Sequence, residues 1–181
     1  MNHLWSPWRM SYMQSDRNDG CAFCNELTRP DGPDNLILHR GQRAFVILNR
    51  FPYTSGHLMA VPYAHVATLE ELDMATRSEL MELAVTAMQV LKLVYHPQGF
   101  NLGMNIGDAG GAGIAEHIHM HIVPRWIGDT NFMSSLGETR VLPELLDETY
   151  RRVCGAWCTP IFNSDNLFTS QAQSLLKGGA Q

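Results

Sequence analysis

The stretch Glu116-His117-Ile118-His119-Met120-His121-Ile122-Val123-Pro124 constrains this chain more than any other. Histidine recurs at every second position with an apolar residue between, and period two is the signature of a β-strand, whose side chains alternate between faces. On a strand the three imidazoles share one face, roughly 6.6 Å from one ring root to the next. Ile118, Met120 and Ile122 then point the other way into a core. A helix would spread the same rings through roughly 200°. Pro124 has no N–H to give to a ladder and suits the strand's end. Imidazole is neutral or charged near neutral pH, so such a row can act as nucleophile, proton donor or metal ligand. The plainer alternative is three polar residues on the wet face of an edge strand.

Around this stretch the chain alternates short strand patterns with one long helical pattern. Residues 36–39 and 44–49 are expected to be strands about a turn at Arg40-Gly41-Gln42, and residues 56–61 a third. Thr68 to Leu72 reads as the opening of a helical region behind a Thr cap. Asp73 caps the main helix, where Leu80, Leu83, Ala84, Ala87, Val90, Leu91 and Val94 form one apolar face. Pro97 and Gly99 stop it. Residues 100–106 and 115–124 supply two more strands, and residues 143–157 a second amphipathic helix. The order β-β-β-α-β-β predicts an α+β fold, a mainly antiparallel sheet of about five strands with a long helix and a C-terminal helix on one side.

A length of 181 residues with 45% hydrophobic content fits one domain with an ample core. The expected division is an N-terminal extension over 1–20, the domain over 21–158 and a loosely held tail over 159–181, which ends Lys-Gly-Gly-Ala-Gln. Trp5, Pro7, Trp8 and Arg9 cluster in the extension, either against the domain's own core or over a pocket. No secretory pattern opens the chain and no apolar run is long enough to span a bilayer, so no membrane partner and a cytoplasmic setting are expected. A net charge of −5 gives no support to nucleic-acid binding. Four cysteines in that setting read as thiols or metal ligands before disulfides. Cys21-Ala22-Phe23-Cys24 has a spacing that can hold one tetrahedral zinc, although redox pairs and buried thiols share it. Cys154 and Cys158 read as two semi-buried thiols, and His3, His39 and His96 belong to no constellation.

The triad segment resembles the His-x-His-x-His signature of the histidine triad (HIT) superfamily of nucleotide hydrolases and transferases. Asn49-Arg50-Phe51-Pro52 through Gly56-His57-Leu58-Met59-Ala60-Val61-Pro62 is similar to the family's upstream strand pair, and Asn101 through Trp126 to its later strands and glycine-rich turn. The resemblance spans roughly residues 21 to 132. Leu4-Trp5-Ser6-Pro7-Trp8-Arg9 and Pro124 through Phe132 resemble a zinc-bearing bacterial branch of diadenosine tetraphosphate phosphorylase-like and hydrolase-like proteins.

That resemblance implies a structural Zn²⁺ held by Cys21, Cys24, His65 and His117. It implies His119 as the nucleophile that takes the α-phosphate to form a covalent nucleotidyl-histidine, with His121 and His57 on phosphate oxygens. Asn49 is implied at the ribose and Asn105 near the phosphates. Gly111 and Gly113, in the turn from Asp108 to Gly113, can bring backbone N–H groups to an anion, or simply make a tight hairpin. Trp126 stacks near the nucleotide or packs in an interface. The implied substrate is a nucleotide or dinucleoside polyphosphate and the implied assembly a homodimer. The reading from another class is a zinc-stabilised nucleotide-binding or interaction module with little turnover.

One departure stands out. Many family members carry Gln-Ser or Gln-Thr where this chain has Gly113 and Ile114, so the usual donor to the leaving group is missing or comes from elsewhere. His121 stands where the uridylyltransferase branch has Gln, which speaks against a sugar-phosphate acceptor.

Overall fold

A computed structural model describes residues 20–129 and 144–158. The expected N-terminal extension with its Trp5 and Trp8, the Thr130-Asn131-Phe132 segment and the expected tail lie outside the described residues.

The apolar strand patterns assemble as β1 (Ile37–Arg40), β2 (Ala44–Leu48), β3 (Leu58–Pro62), β4 (Gly99–Met104) and β5 (Met120–Arg125). They form one antiparallel sheet in the order β1-β2-β3-β5-β4. Every residue of β2 and β3 is buried, so these run as continuous apolar strands rather than alternating ones. The long helix α2 (Met74–Tyr95) packs on β2, β3 and β5, and α3 (Leu146–Trp157) packs on α2 and β1. Leu80, Leu83, Ala84, Ala87, Val90 and Leu91 are buried at that junction, as their spacing predicts, and Val94 packs partly buried beside them.

The caps of α2 are local chemistry. Asp73 Oδ1 accepts from the Thr76 amide at 2.7 Å, satisfying one orphan donor of the first turn. At the far end His96 takes the left-handed conformation (φ 48°) and its amide closes on the Lys92 carbonyl, after which Pro97 cannot continue the helix.

Three expectations need correction. Thr68–Leu72 is a turn and not a helix, because the Glu71 carboxylate gathers the amides of Ala67 and Thr68 and the Thr68 hydroxyl into a local loop. The fifth strand begins at Met120, not at residue 115. Residues 117–119 are held by the loop after β3 instead of a ladder: the Ile118 amide donates to the Val66 carbonyl at 2.7 Å. A short helix α1 (Ala22–Leu27), with Cys21 at its N-cap, was not legible as a helix. Cys154 is half-buried but Cys158 is exposed, and His39 stacks on Trp157 with ring centroids 5.3 Å apart.

Gly56 ties α2 to the segment that carries His57. Its φ is +77°, and a Cβ there would stand 2.9 Å from Leu91 Cδ2 and 3.1 Å from the Tyr95 ring. Gly56→Ala is therefore expected to cost about 1–3 kcal/mol through backbone strain alone, with helix contact adding to it. Urea unfolding monitored by circular dichroism measures that loss.

Candidate active site

Cross-strand register sets up the site. Ile47 on β2 stands opposite Met59 on β3, Met59 opposite His121 on β5, and His121 opposite Gly103 on β4. Directly opposed residues share a face, so His121 rises from the same face as Ile47 and Met59. Ile122, Leu58 and Leu48 make the next row and point the other way.

The histidines are not a wet row. His117 has no exposed surface and His119 is 5% exposed, because Phe23 of α1 lies over both with ring centroids 5.4 Å from His117 and 4.9 Å from His119, and His57 is fully buried beside Tyr53 and His121. A buried ring nitrogen needs a partner, and the partners fix which nitrogen carries the proton. His119 Nδ1 is 2.9 Å from the His117 carbonyl, which can only accept. Nδ1 therefore holds the N–H and Nε2 is left bare. The Tyr53 amide donates to His57 Nδ1 at 3.1 Å, so the His57 proton sits on Nε2 and is donated to His121 Nδ1 at 3.0 Å. His121 in turn carries its N–H on Nε2.

Charge follows from burial. The His119 pKa is lowered chiefly by desolvation and further by nearby His117, against the bond to the His117 carbonyl, which favours the protonated ring. His121 is pushed down to about 4 by burial and by His119 beside it, with ring centroids 4.8 Å apart. Both rings are neutral at pH 7.

A cavity of about 140 Å³ opens in front of these rings. Of the residues expected from sequence, Asn49, Asn105, Gly111, Gly113, His119 and His121 all line it. Asn105 Nδ2 donates to the Gly111 carbonyl at 3.2 Å and ties the glycine turn to the end of β4. Asn49 lies with its Nδ2 3.3 Å from His57 Nδ1, and its Oδ1 accepts from the Phe51 amide.

Two expected residues fall elsewhere. Trp126 is not among the cavity's lining residues; it follows β5, where its amide donates to Asp129. His57 has no exposed surface and is not among the cavity's lining residues; its Nε2 donates to His121 Nδ1 at 3.0 Å. Sequence reasoning missed the cavity's apolar wall of Phe23, Leu36 and Phe51, and also Tyr53. Phe51 carried a usable signal, since it follows Asn49-Arg50 in the loop before Gly56-His57 and is left 47% exposed.

On the far side of His117 the four expected metal donors converge. Cys21, Cys24, His65 and His117 each offer one atom, all within 4.8 Å of one another. Cys21 Sγ is 3.3 Å from His117 Nδ1, Cys24 Sγ is 3.3 Å from His65 Nδ1 and 3.7 Å from His117 Nδ1. Sulfur and nitrogen ligands on one tetrahedral zinc-sized ion stand about 3.6 Å apart, so these spacings fit such an ion. His117 Nε2 donates to the Pro62 carbonyl at 2.9 Å, which leaves Nδ1 unprotonated toward the thiols. Burial pushes the Cys21 thiol up, but His117, when its ring also carries a proton on Nδ1, and the amides of Cys24 and Phe23 bring it down to about 6. Burial, and then the neighbouring Cys21, raise Cys24. Two soft donors and two imidazoles make a Cys₂His₂ cluster that could hold a metal ion.

Comparison with known proteins agrees with this geometry. The HIT domain model matches residues 30–126. The AP-4-A phosphorylase of Mycobacterium tuberculosis is 38% identical over 165 residues, covering 87% of this chain and 85% of that protein. Among solved structures, a zinc-bound histidine triad family protein from Mycobacterium smegmatis aligns with a TM-score of 0.61 at 24% identity, over 76% of this chain and 92% of that one. A histidine triad nucleotide-binding protein from Sulfolobus tokodaii aligns with a TM-score of 0.60 at 25% identity, over 80% and 98% of the two chains.

The tautomers can be read directly. Imidazole ¹⁵N spectra at pH 7 are expected to place the proton of His119 on Nδ1 and those of His57 and His121 on Nε2. On acidification to pH 5, His121 stays mostly neutral, since its pKa is about 4, whereas an ordinary imidazole is already mostly protonated. In His57→Ala the His121 proton is expected to exchange between both nitrogens.

Proposed function

This chain belongs to the HIT domain family, and from that premise we propose that it is an enzyme that cleaves dinucleoside polyphosphates, or related AMP derivatives, at the α-phosphate through a covalent nucleotidyl-His119, as a diadenosine tetraphosphate phosphorylase. The observation that carries the reading is the bare Nε2 of His119, in a ring that lines the cavity and is locked from behind by the His117 carbonyl. A neutral imidazole with its lone pair free is the form that can attack phosphorus.

In the first step His119 Nε2 attacks the α-phosphorus, the N–P bond forms, and the anhydride P–O bond breaks with its electron pair on the departing polyphosphate. In the second, an oxygen of inorganic phosphate or water attacks the same phosphorus and the N–P electrons return to Nε2. His121 presents its Nε2–H to the phosphoryl oxygens, where charge shifts as the bond breaks. Asn105 and the glycine turn at Gly111 and Gly113 frame the phosphate end of the cavity, and Asn49 the ribose end. With Gly113 and Ile114 in place of hydroxyl-bearing neighbours, a leaving group that needs no proton, such as a polyphosphate, suits this site.

We assign the Cys21, Cys24, His65 and His117 cluster to a structural Zn²⁺, supported by its donor set and spacing. Bound there, the ion joins α1 to the loop after β3 and to the root of the triad, and supplies no chemistry to phosphorus. The assembly is a homodimer and the setting cytoplasmic. Among the described residues no helix is long and apolar enough to cross a membrane.

His119→Ala is expected to lower turnover of diadenosine tetraphosphate by at least a thousandfold while AMP binding persists. With inorganic phosphate the wild type yields ADP plus ATP, and with water alone AMP plus ATP. A wild type that forms no acid-labile nucleotidyl adduct with any such substrate is a binding module. Separately, protein purified without added zinc should hold about one zinc per chain, and Cys21→Ser should lose it together with thermal stability.

A further inference from the structure

The cavity in front of His119 adjoins another compartment. A second, open groove of about 430 Å³ runs along β4 and β5, lined in part by Asn101, Gly103, Val123 and Arg125. It meets the first at Tyr53, Asn105, Gly111 and His121, which line both. Register explains the continuity. His121, Val123 and Arg125 alternate onto one face of β5, and their partners Gly103, Asn101 and Gly99 onto the same face of β4. The groove therefore starts at the triad and runs about 13 Å along the strand to Arg125.

Two features equip this groove for phosphate. Gly103 faces His121, and a Cβ built on it would meet no atom within 4 Å, so the groove's floor is open where it leaves the reaction centre. At the other end Arg125 is held fast: Nε and Nη2 bond the Asp129 carboxylate at 2.6 and 2.8 Å, and Nη1 bonds Asn101 Oδ1 at 2.6 Å. Those bonds use three of the five guanidinium N–H groups and leave two for a ligand. A fork fixed in place by a carboxylate loses little freedom when it meets a phosphate.

We propose that the β4–β5 groove is the subsite for the polyphosphate arm of the dinucleotide, with Arg125 as its distal anchor. The inference rests on the reaction proposed above and extends it to the half of the substrate that leaves. In-line displacement by His119 requires the leaving oxygen to stand opposite Nε2, and the second nucleophile enters along the line the first product vacates. One groove then serves the departing polyphosphate and afterwards the incoming inorganic phosphate.

Affinity separates this subsite from the rest of the site. In a His119→Ala background, calorimetric titrations with diadenosine tetraphosphate and with AMP are compared for the parent, for Arg125→Ala and for Gly103→Val, which adds bulk to the floor at a position whose Cβ meets no atom within 4 Å. Each added substitution is expected to weaken the dinucleotide about tenfold and AMP less than twofold, and Arg125→Lys to recover part of the loss. Equal weakening of both ligands, or no change in either, overturns the proposal. In otherwise wild-type protein, Arg125→Ala should also raise the ratio of AMP to ADP formed at a given inorganic phosphate concentration, and an unchanged ratio removes the acceptor from the groove. Failure of the reaction itself shows elsewhere, as absence of the nucleotidyl adduct in wild-type protein, and leaves the affinity comparison intact.

Discussion

A neutral imidazole buried beside another neutral imidazole keeps its place only if its inner nitrogen is bonded, and in this chain that requirement orders the whole site. The His117 carbonyl takes the inner proton of His119, the Pro62 carbonyl takes that of His117, and the Tyr53 amide fills the inner nitrogen of His57. Each bond fixes a tautomer, and each tautomer decides what the outer nitrogen offers: a lone pair at His119, a lone pair at His117 on the side of the cysteines, or an N–H from His57 to His121. The shared row of imidazoles has thus been divided into separate tasks by three backbone groups.

Burial completes the division. Phe23 excludes water from His117 and His119, and desolvation holds His119 and His121 uncharged where a solvated imidazole would be partly protonated. An imidazole held in this form needs no general base to strip it. The opposite side of His117 meets thiols, and at Cys21 the anionic form is stabilised by the amides of Cys24 and Phe23. Phe23 lies between Cys21 and Cys24 in sequence, so the helix that brings the thiols also brings the cover.

Much of this was legible in sequence because it is periodic or paired. The β-β-β-α-β-β order, the apolar face of α2 and the Asp73 cap follow from spacing and local chemistry, and the four cluster residues were readable as a set through family likeness. What escaped had no period. The cover over His117 and His119 left no such trace, because Phe23 stands ninety-four positions before His117 and alternation cannot report a contact from another part of the chain. His57 was expected at the phosphate through family likeness, and no sequence signal told of its burial or of its bonds to the Tyr53 amide and His121. Thr68–Leu72 failed for a local reason, since a carboxylate three residues beyond a threonine caps a turn as readily as a helix.

The support beneath His119 is a main-chain oxygen, and every amino acid carries one. The protonation pattern of the nucleophile is accordingly inherited from the path of the chain rather than spelled by the side chain at position 117. That separation frees the His117 imidazole to face the cysteines, so one residue serves two neighbours through two chemically independent parts. A different side chain at position 117 would therefore leave the prop under His119 standing, provided the polypeptide still bends the same way.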